Sequence, residues 1–164
     1  MRQIFLSIAT LAVFGLATPA GASTVNFIVS LNGAQEVGGG DPDGSGTAFL
    51  SIDDVANTID WNIIVSDIVL PPNGAHIHNA AAGINGPIVV DFSSQLSGSG
   101  LFDADLANVL ANPTNFYVNI HNSDFSGGAI RGQLGAPVPV PAAVWLFGGA
   151  LAGLGMLKRR QATA

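Results

Sequence analysis

The sequence predicts an all-β domain, an antiparallel Greek-key sandwich with one short helix. Short runs alternate apolar and polar residues with period 2, Gly, Asn, Asp and Pro clusters separate them at regular intervals, and only one stretch has helical spacing. The domain occupies residues 23–136 between two segments of different composition, 1–22 and 137–164.

The strands follow in order. Residues 25–31 place Val25, Phe27, Val29 and Leu31 on one face and stop at Asn32-Gly33. The glycine-rich stretch from Gly38 to Gly46 is a loop by every breaker rule. Residues 47–52 form the second strand, and 58–65 the third, with Ile59, Trp61, Ile63 and Val65 sharing a face. Trp61 is therefore expected in the core. Pro71-Pro72-Asn73-Gly74 turns the chain into Ala75-His76-Ile77-His78-Asn79, followed by Gly83-Ile84-Asn85-Gly86-Pro87. Strands at 88–92 and 98–102 precede the helix, expected over 103–110 with Asp103 capping its N–H groups and Leu106, Val109 and Leu110 facing inward. Asn112-Pro113 stops it, and strands at 116–121 and 129–134 end the domain.

Charge excludes one class of partner. All 11 acidic residues lie between Glu36 and Asp124, and Arg131 is the lone lysine or arginine between residues 23 and 137, which leaves that region at −10. Such a domain repels phosphate backbones, so nucleic acid is not its partner. With eleven carboxylates available, Arg131 is expected to ion-pair with one of them. No cysteine is present, so the domain folds without disulfides.

Both ends read as addresses. Met1-Arg2-Gln3 gives a positive start, residues 4–17 are a largely apolar run, and Thr18-Pro19-Ala20-Gly21-Ala22 supplies small residues. This is the pattern of a secretory signal peptide cleaved after Ala22. At the other end, Pro137-Val138-Pro139-Val140-Pro141 breaks regular structure. Residues 142–157 follow without a charge, and Lys158-Arg159-Arg160 closes the segment. Sixteen residues are marginal for about 30 Å of hydrocarbon, but flanking residues or local thinning can make up the difference. As an inner-membrane anchor it would keep the basic cluster cytoplasmic and the acidic domain outside. Val138-Pro139-Val140-Pro141-Ala142, the apolar stretch and the basic cluster resemble the PEP-CTERM class of sorting signals, nearest the V-P-L-P-A variant with Val140 for leucine. The resemblance implies an exosortase-type processing enzyme as a partner and an exported, envelope or extracellular location in a Gram-negative cell. An uncut C-terminal anchor is the alternative.

The residues that carry chemistry are the three histidines. His76 and His78, at i and i+2 of one strand, point to the same face, with Ile77 opposite. His121 closes a second strand. They are expected to be strand-end polar residues satisfied by hydrogen bonds, with no cofactor; the alternative is that they converge on one copper or zinc ion with an open fourth position. Asp41 and Asp43, in Asp-Pro-Asp-Gly-Ser-Gly, offer loose calcium ligands, but the bidentate glutamate of an EF-hand loop is missing, which favours a plain loop. Without cysteine, a Ser/His/Asp order or a convincing acid pair, nucleophilic and glycosidic catalysis have no support, and no enzymatic activity is indicated.

Five blocks carry a second resemblance: Leu31-Asn32-Gly33-Ala34-Gln35-Glu36-Val37, Ala75-His76-Ile77-His78, Gly86-Pro87-Ile88-Val89, Tyr117-Val118-Asn119-Ile120-His121 and Gly128-Ala129-Ile130-Arg131-Gly132-Gln133-Leu134. Together they resemble the CHRD domain, named after chordin, from about residue 25 to 134. Gly38-Gly39 departs from the prolines that usually follow Glu-Val and loosens that loop. The resemblance implies a sandwich similar to Cu/Zn superoxide dismutase, but three histidines are too few for a binuclear dismutase centre. Two functions follow as expectations. One is an exported binding or structural module of the envelope or matrix that contacts polysaccharide or a surface protein. The other is a periplasmic or surface protein that binds one metal ion.

Overall fold

A computed structural model describes residues 23–139. The signal-peptide segment with Ala22, the remainder of the sorting motif (Val140, Pro141 and Ala142) and the apolar run 142–157 lie outside the described residues. Among the described residues no helix is long and apolar enough to cross a membrane.

Eight strands form one antiparallel, curled sheet: β1 (Thr24–Asn32), β2 (Ser45–Asp53), β3 (Thr58–Ser66), β4 (Gly74–Asn79), β5 (Ile88–Asp91), β6 (Ser97–Phe102), β7 (Phe116–His121) and β8 (Ile130–Gln133). Their spatial order is β5-β4-β7-β8-β1-β2-β3-β6. β1, β2 and β3 are joined by hairpins in full register, with Phe27 opposite Leu50 and Leu50 opposite Trp61. Period-2 patterning decides their faces as expected: Phe27, Val29, Leu31, Ala48, Leu50, Ile52, Ile59 and Ile63 are buried, and the residues between them face out.

The curl brings the two ends of the sheet together. The chain leaving β5 crosses to β3, where Ile63 N–H donates to the Leu96 carbonyl at 2.7 Å. Phe92 stacks on Trp61 with ring centroids 4.6 Å apart. Trp61 lies on the inward face as expected, yet it is half-buried rather than sealed in the core, because it closes the seam. Its indole N–H donates to the Gln95 carbonyl. Trp61→Ala removes both the stack and the seam packing, and equilibrium denaturation is expected to show a loss of about 3 kcal/mol. An unchanged midpoint would contradict this closure.

The helix differs from expectation. It is α1 (Leu106–Ala111), and Asp103 does not cap it. The Asp103 carboxylate accepts from the Asp105 N–H in a turn before the helix, so the periodic residues Leu106 and Val109 are buried while the start shifts.

β7 is buried on both faces from Phe116 to Ile120. Val118 and Ile120 face the core, whereas Tyr117, Asn119 and His121 alternate outward. That outward face, shared with β4 and β8, is covered by the loop over residues 80–87, and it carries the candidate site.

Candidate metal centre

β4 and β7 pair antiparallel with Gly74 opposite His121, His76 opposite Asn119 and His78 opposite Tyr117. Because Ile77 is fully buried in the core, His76 and His78 stand on the outer face, and the register delivers His121 beside them. Ring centroids are 5.5 Å apart for His76 and His78, 5.1 Å for His76 and His121, and 5.9 Å for His78 and His121. One potential ligand nitrogen of each ring lies within 4.8 Å of the others. Gly74 permits this approach. A Cβ there would stand 2.7 Å from the His76 ring and 2.9 Å from the His121 ring.

The second nitrogen of each ring is spoken for. His78 Nδ1 lies 2.9 Å from the Gly86 carbonyl, and His121 Nδ1 lies 3.0 Å from the Ser126 carbonyl. A carbonyl can only accept, so both Nδ1 atoms carry the proton and both Nε2 atoms present a lone pair. His76 Nε2 faces the Asp91 carboxylate at 3.6 Å, an electrostatic contact that favours the proton on Nε2 and a bare Nδ1. The three remaining nitrogens, His76 Nδ1, His78 Nε2 and His121 Nε2, are buried and have no partner. Three unpaired lone pairs in one cluster are costly alone and fit a metal ion. Tetrahedral nitrogens at 2.0–2.1 Å from an ion stand about 3.3–3.4 Å apart, so the rings need close by no more than about 1.5 Å on binding.

Burial holds the His76 imidazole below its usual pKa, with His121 adding to the lowering and Asp91 opposing it. Burial also lowers His78, against the hydrogen bond to Gly86. Both shifts keep the imidazoles neutral, the form that ligates.

Beneath His78 lies a stack that the sequence did not reveal. Tyr117 lies nearly parallel to the imidazole at 4.9 Å, and the Arg131 guanidinium covers the other face of Tyr117 at 3.4 Å. Arg131 is 1% exposed. Contrary to the expected ion pair, no carboxylate lies within ion-pairing distance of it among the described residues. It donates instead to the carbonyls of Ala81 and Ile84 and to the side chains of Asn85 and Gln133. Tyr117 Oη accepts from the Gly86 N–H. Arg131 and Tyr117 thus fix the 80–87 loop, and through Gly86 they fix the tautomer of His78. The Gly83–Pro87 run directly after the histidine strand was the only sequence signal for this loop.

Asp41 and Asp43 belong to no group of three metal-capable side chains among the described residues. The Asp41 carboxylate accepts from the Asp43 N–H within the loop.

Glu36 is the other perturbed group. Burial raises its pKa to about 7, with Arg131 opposing the rise. One of its buried oxygens, Oε1, has no partner, and a Cβ on Gly128 would stand 2.5 Å from that atom. A carboxyl whose folded pKa is raised contributes stability below its unfolded pKa of 4.5, and that stability is lost as pH rises through about 7. Glu36→Gln is therefore expected to raise the melting temperature at pH 8.5 and leave it nearly unchanged at pH 5. Equal shifts at the two pH values would contradict the assignment.

The CHRD family profile matches residues 27–134, which is most of the described chain and all of the site. No curated protein and no solved structure gives a significant match.

Proposed function

The chain belongs to the CHRD-domain family, whose members are typically extracellular or secreted, and on that footing we propose that it is an exported envelope or matrix module holding one copper or zinc ion on His76, His78 and His121. One observation carries the metal reading: three buried ring nitrogens converge without partners, while Gly86, Ser126 and Asp91 engage the opposite nitrogens. Outer-shell groups of this kind orient ligating imidazoles and raise their basicity. Three protein ligands leave a position open to water or a small molecule, as Lewis-acid or redox sites require. The strand order, with the chain crossing the sheet between β3 and β4, between β5 and β6 and between β6 and β7, supports a Greek-key sandwich as the scaffold. The test is elemental analysis of the purified protein after exposure to copper or zinc and removal of loose metal. One ion per chain is expected, and none after either exposure would refute the centre.

The export reading rests on the two ends. A signal peptide cleaved after Ala22 and a sorting signal starting at Val138-Pro139 make the C-terminal segment a transient membrane anchor, removed by an exosortase-type enzyme. Val138 N–H donates to the Asn26 carbonyl, so both ends of the domain leave from the start of β1. This arrangement suits a domain held at one pole and released by a single cut. Mass spectrometry of the exported protein is expected to find residues 1–22 and everything beyond about residue 141 missing. An exported form that still ends in Lys158-Arg159-Arg160 and beyond would overturn the processing.

A further inference from the structure

The three histidines leave one coordination position, and the register of β4 with β7 puts a fourth side chain beside it. Three rows cross these strands on the outer face: Gly74 with His121, His76 with Asn119, and His78 with Tyr117. His78 and His121 therefore start two rows apart, roughly 13 Å along the strands at about 3.3 Å per residue. Their ring centroids are nevertheless 5.9 Å apart, so both rings lean over the middle row. The unpartnered nitrogens agree with this. His78 and His121 present Nε2, the far atom of the ring, whereas His76, which stands in the middle row itself, presents Nδ1, the near one. The three lone pairs meet above the row that His76 shares with Asn119.

Asn119 points to the same face, is 2% exposed, and carries a buried Oδ1 without a partner. Its neighbour across β8, Arg131, spends its terminal N–H groups on Ala81, Ile84, Asn85 and Gln133. Asn122, also buried, shows the contrast: its Oδ1 accepts from the N–H groups of Asp124 and Phe125. A buried carboxamide oxygen that takes no donor needs a cause. Facing residues of an antiparallel pair have Cβ atoms about 4.5–5.5 Å apart. Asn119 Oδ1 and His76 Nδ1 each lie two bonds beyond a Cβ, so they can reach the roughly 3.3 Å that separates two ligands of one ion. The count of lone pairs then selects the occupant. One water donates two hydrogens and leaves two of the four acceptors bare, whereas a cation satisfies all four.

We infer that Asn119 Oδ1 is the fourth ligand of the ion, so that the centre is built from three imidazole nitrogens and one carboxamide oxygen. The inference rests on the metal reading and goes beyond it in naming the ligand set and the state of the metal. A hard oxygen beside three imidazoles suits zinc or copper(II) better than copper(I). An uncharged carboxamide is also a weak ligand, so an incoming small molecule can displace it from the position that the histidines leave.

The test is titration of the full chain with zinc and, separately, copper(II) in competition with a chromogenic chelator, for the parent, Asn119→Leu and Asn119→Asp. Leucine keeps the volume and removes the oxygen. It is expected to weaken binding of whichever ion the parent holds at least tenfold. The metal-free melting temperature should meanwhile stay the same or rise, because a buried unpartnered oxygen has gone. Aspartate supplies an oxygen again and is expected to bind at least as tightly as the parent. The inference is overturned if the leucine variant binds as tightly as the parent, or if the aspartate variant binds as weakly as leucine. It is also overturned if leucine lowers the metal-free melting temperature, which would show that the carboxamide serves the fold. Those results would leave the three-histidine centre standing, whereas a parent that holds neither ion refutes the centre and this ligand with it.

Discussion

His78→Ala is expected to abolish the rise in melting temperature that copper or zinc produces in the parent protein. At a free metal concentration of a thousand times Kd, binding to the native state alone is worth about 4.1 kcal/mol, or on the order of 12–16 °C for a domain of this size. Two imidazoles cannot hold the ion at that strength, so the shift should fall to a few degrees at most. The metal-free variant loses the hydrogen bond to Gly86 and the stack on Tyr117, a cost of about 1–2 kcal/mol, and stays folded. Differential scanning fluorimetry with and without metal reads both quantities. The pH dependence follows from the lowered pKa values of His76 and His78. Their neutral forms persist below 6.5 in the native state, whereas the unfolded chain protonates there first. Stability and metal occupancy are therefore held above 6.5 and lost as pH falls through the lowered values.

The second large effect is expected at Arg131, which touches no ligand nitrogen. Arg131→Met leaves the carbonyls of Ala81 and Ile84 unsatisfied beneath the 80–87 loop and removes the cation over Tyr117. Each buried acceptor left unpaired costs about 1–3 kcal/mol, so a loss of roughly 3–5 kcal/mol is expected in denaturant unfolding. Metal affinity should fall with it, because Gly86 no longer fixes His78. Arg131→Lys is expected to recover little, since an ammonium cannot reproduce a planar fork that bonds four acceptors and stacks on a ring. A lysine variant as stable as the parent would show that charge alone suffices.

What the sequence made legible divides along physical lines. The faces of β1, β2 and β3 could be read because one side is core and the other solvent, so the alternation is written in residue type. The pairing of His76 with His78 followed from strand period alone. The arrival of His121 did not, because β4 and β7 are neighbours in space some forty residues apart, and only the register of Gly74 with His121 brings the rings together. Gly74 itself reads as a turn glycine, although its role is to leave room for two imidazoles. In β7, Tyr117 and Asn119 are buried on the outward side by a loop, so that strand shows no alternation. Arg131 misled for a related reason. A single cation among eleven carboxylates suggests an ion pair by count, but a buried guanidinium goes where carbonyls need donors, and here those belong to a loop without regular structure. Asp103 was placed as a cap because sequence does not separate a helix cap from the turn before it.

X-ray absorption spectroscopy of the metal-loaded protein addresses the centre most directly. A shell of three imidazole nitrogens at about 2.0–2.1 Å, reduced in His78→Ala, is the predicted result. A first shell of oxygen alone, or a spectrum unchanged by His78→Ala, would contradict it.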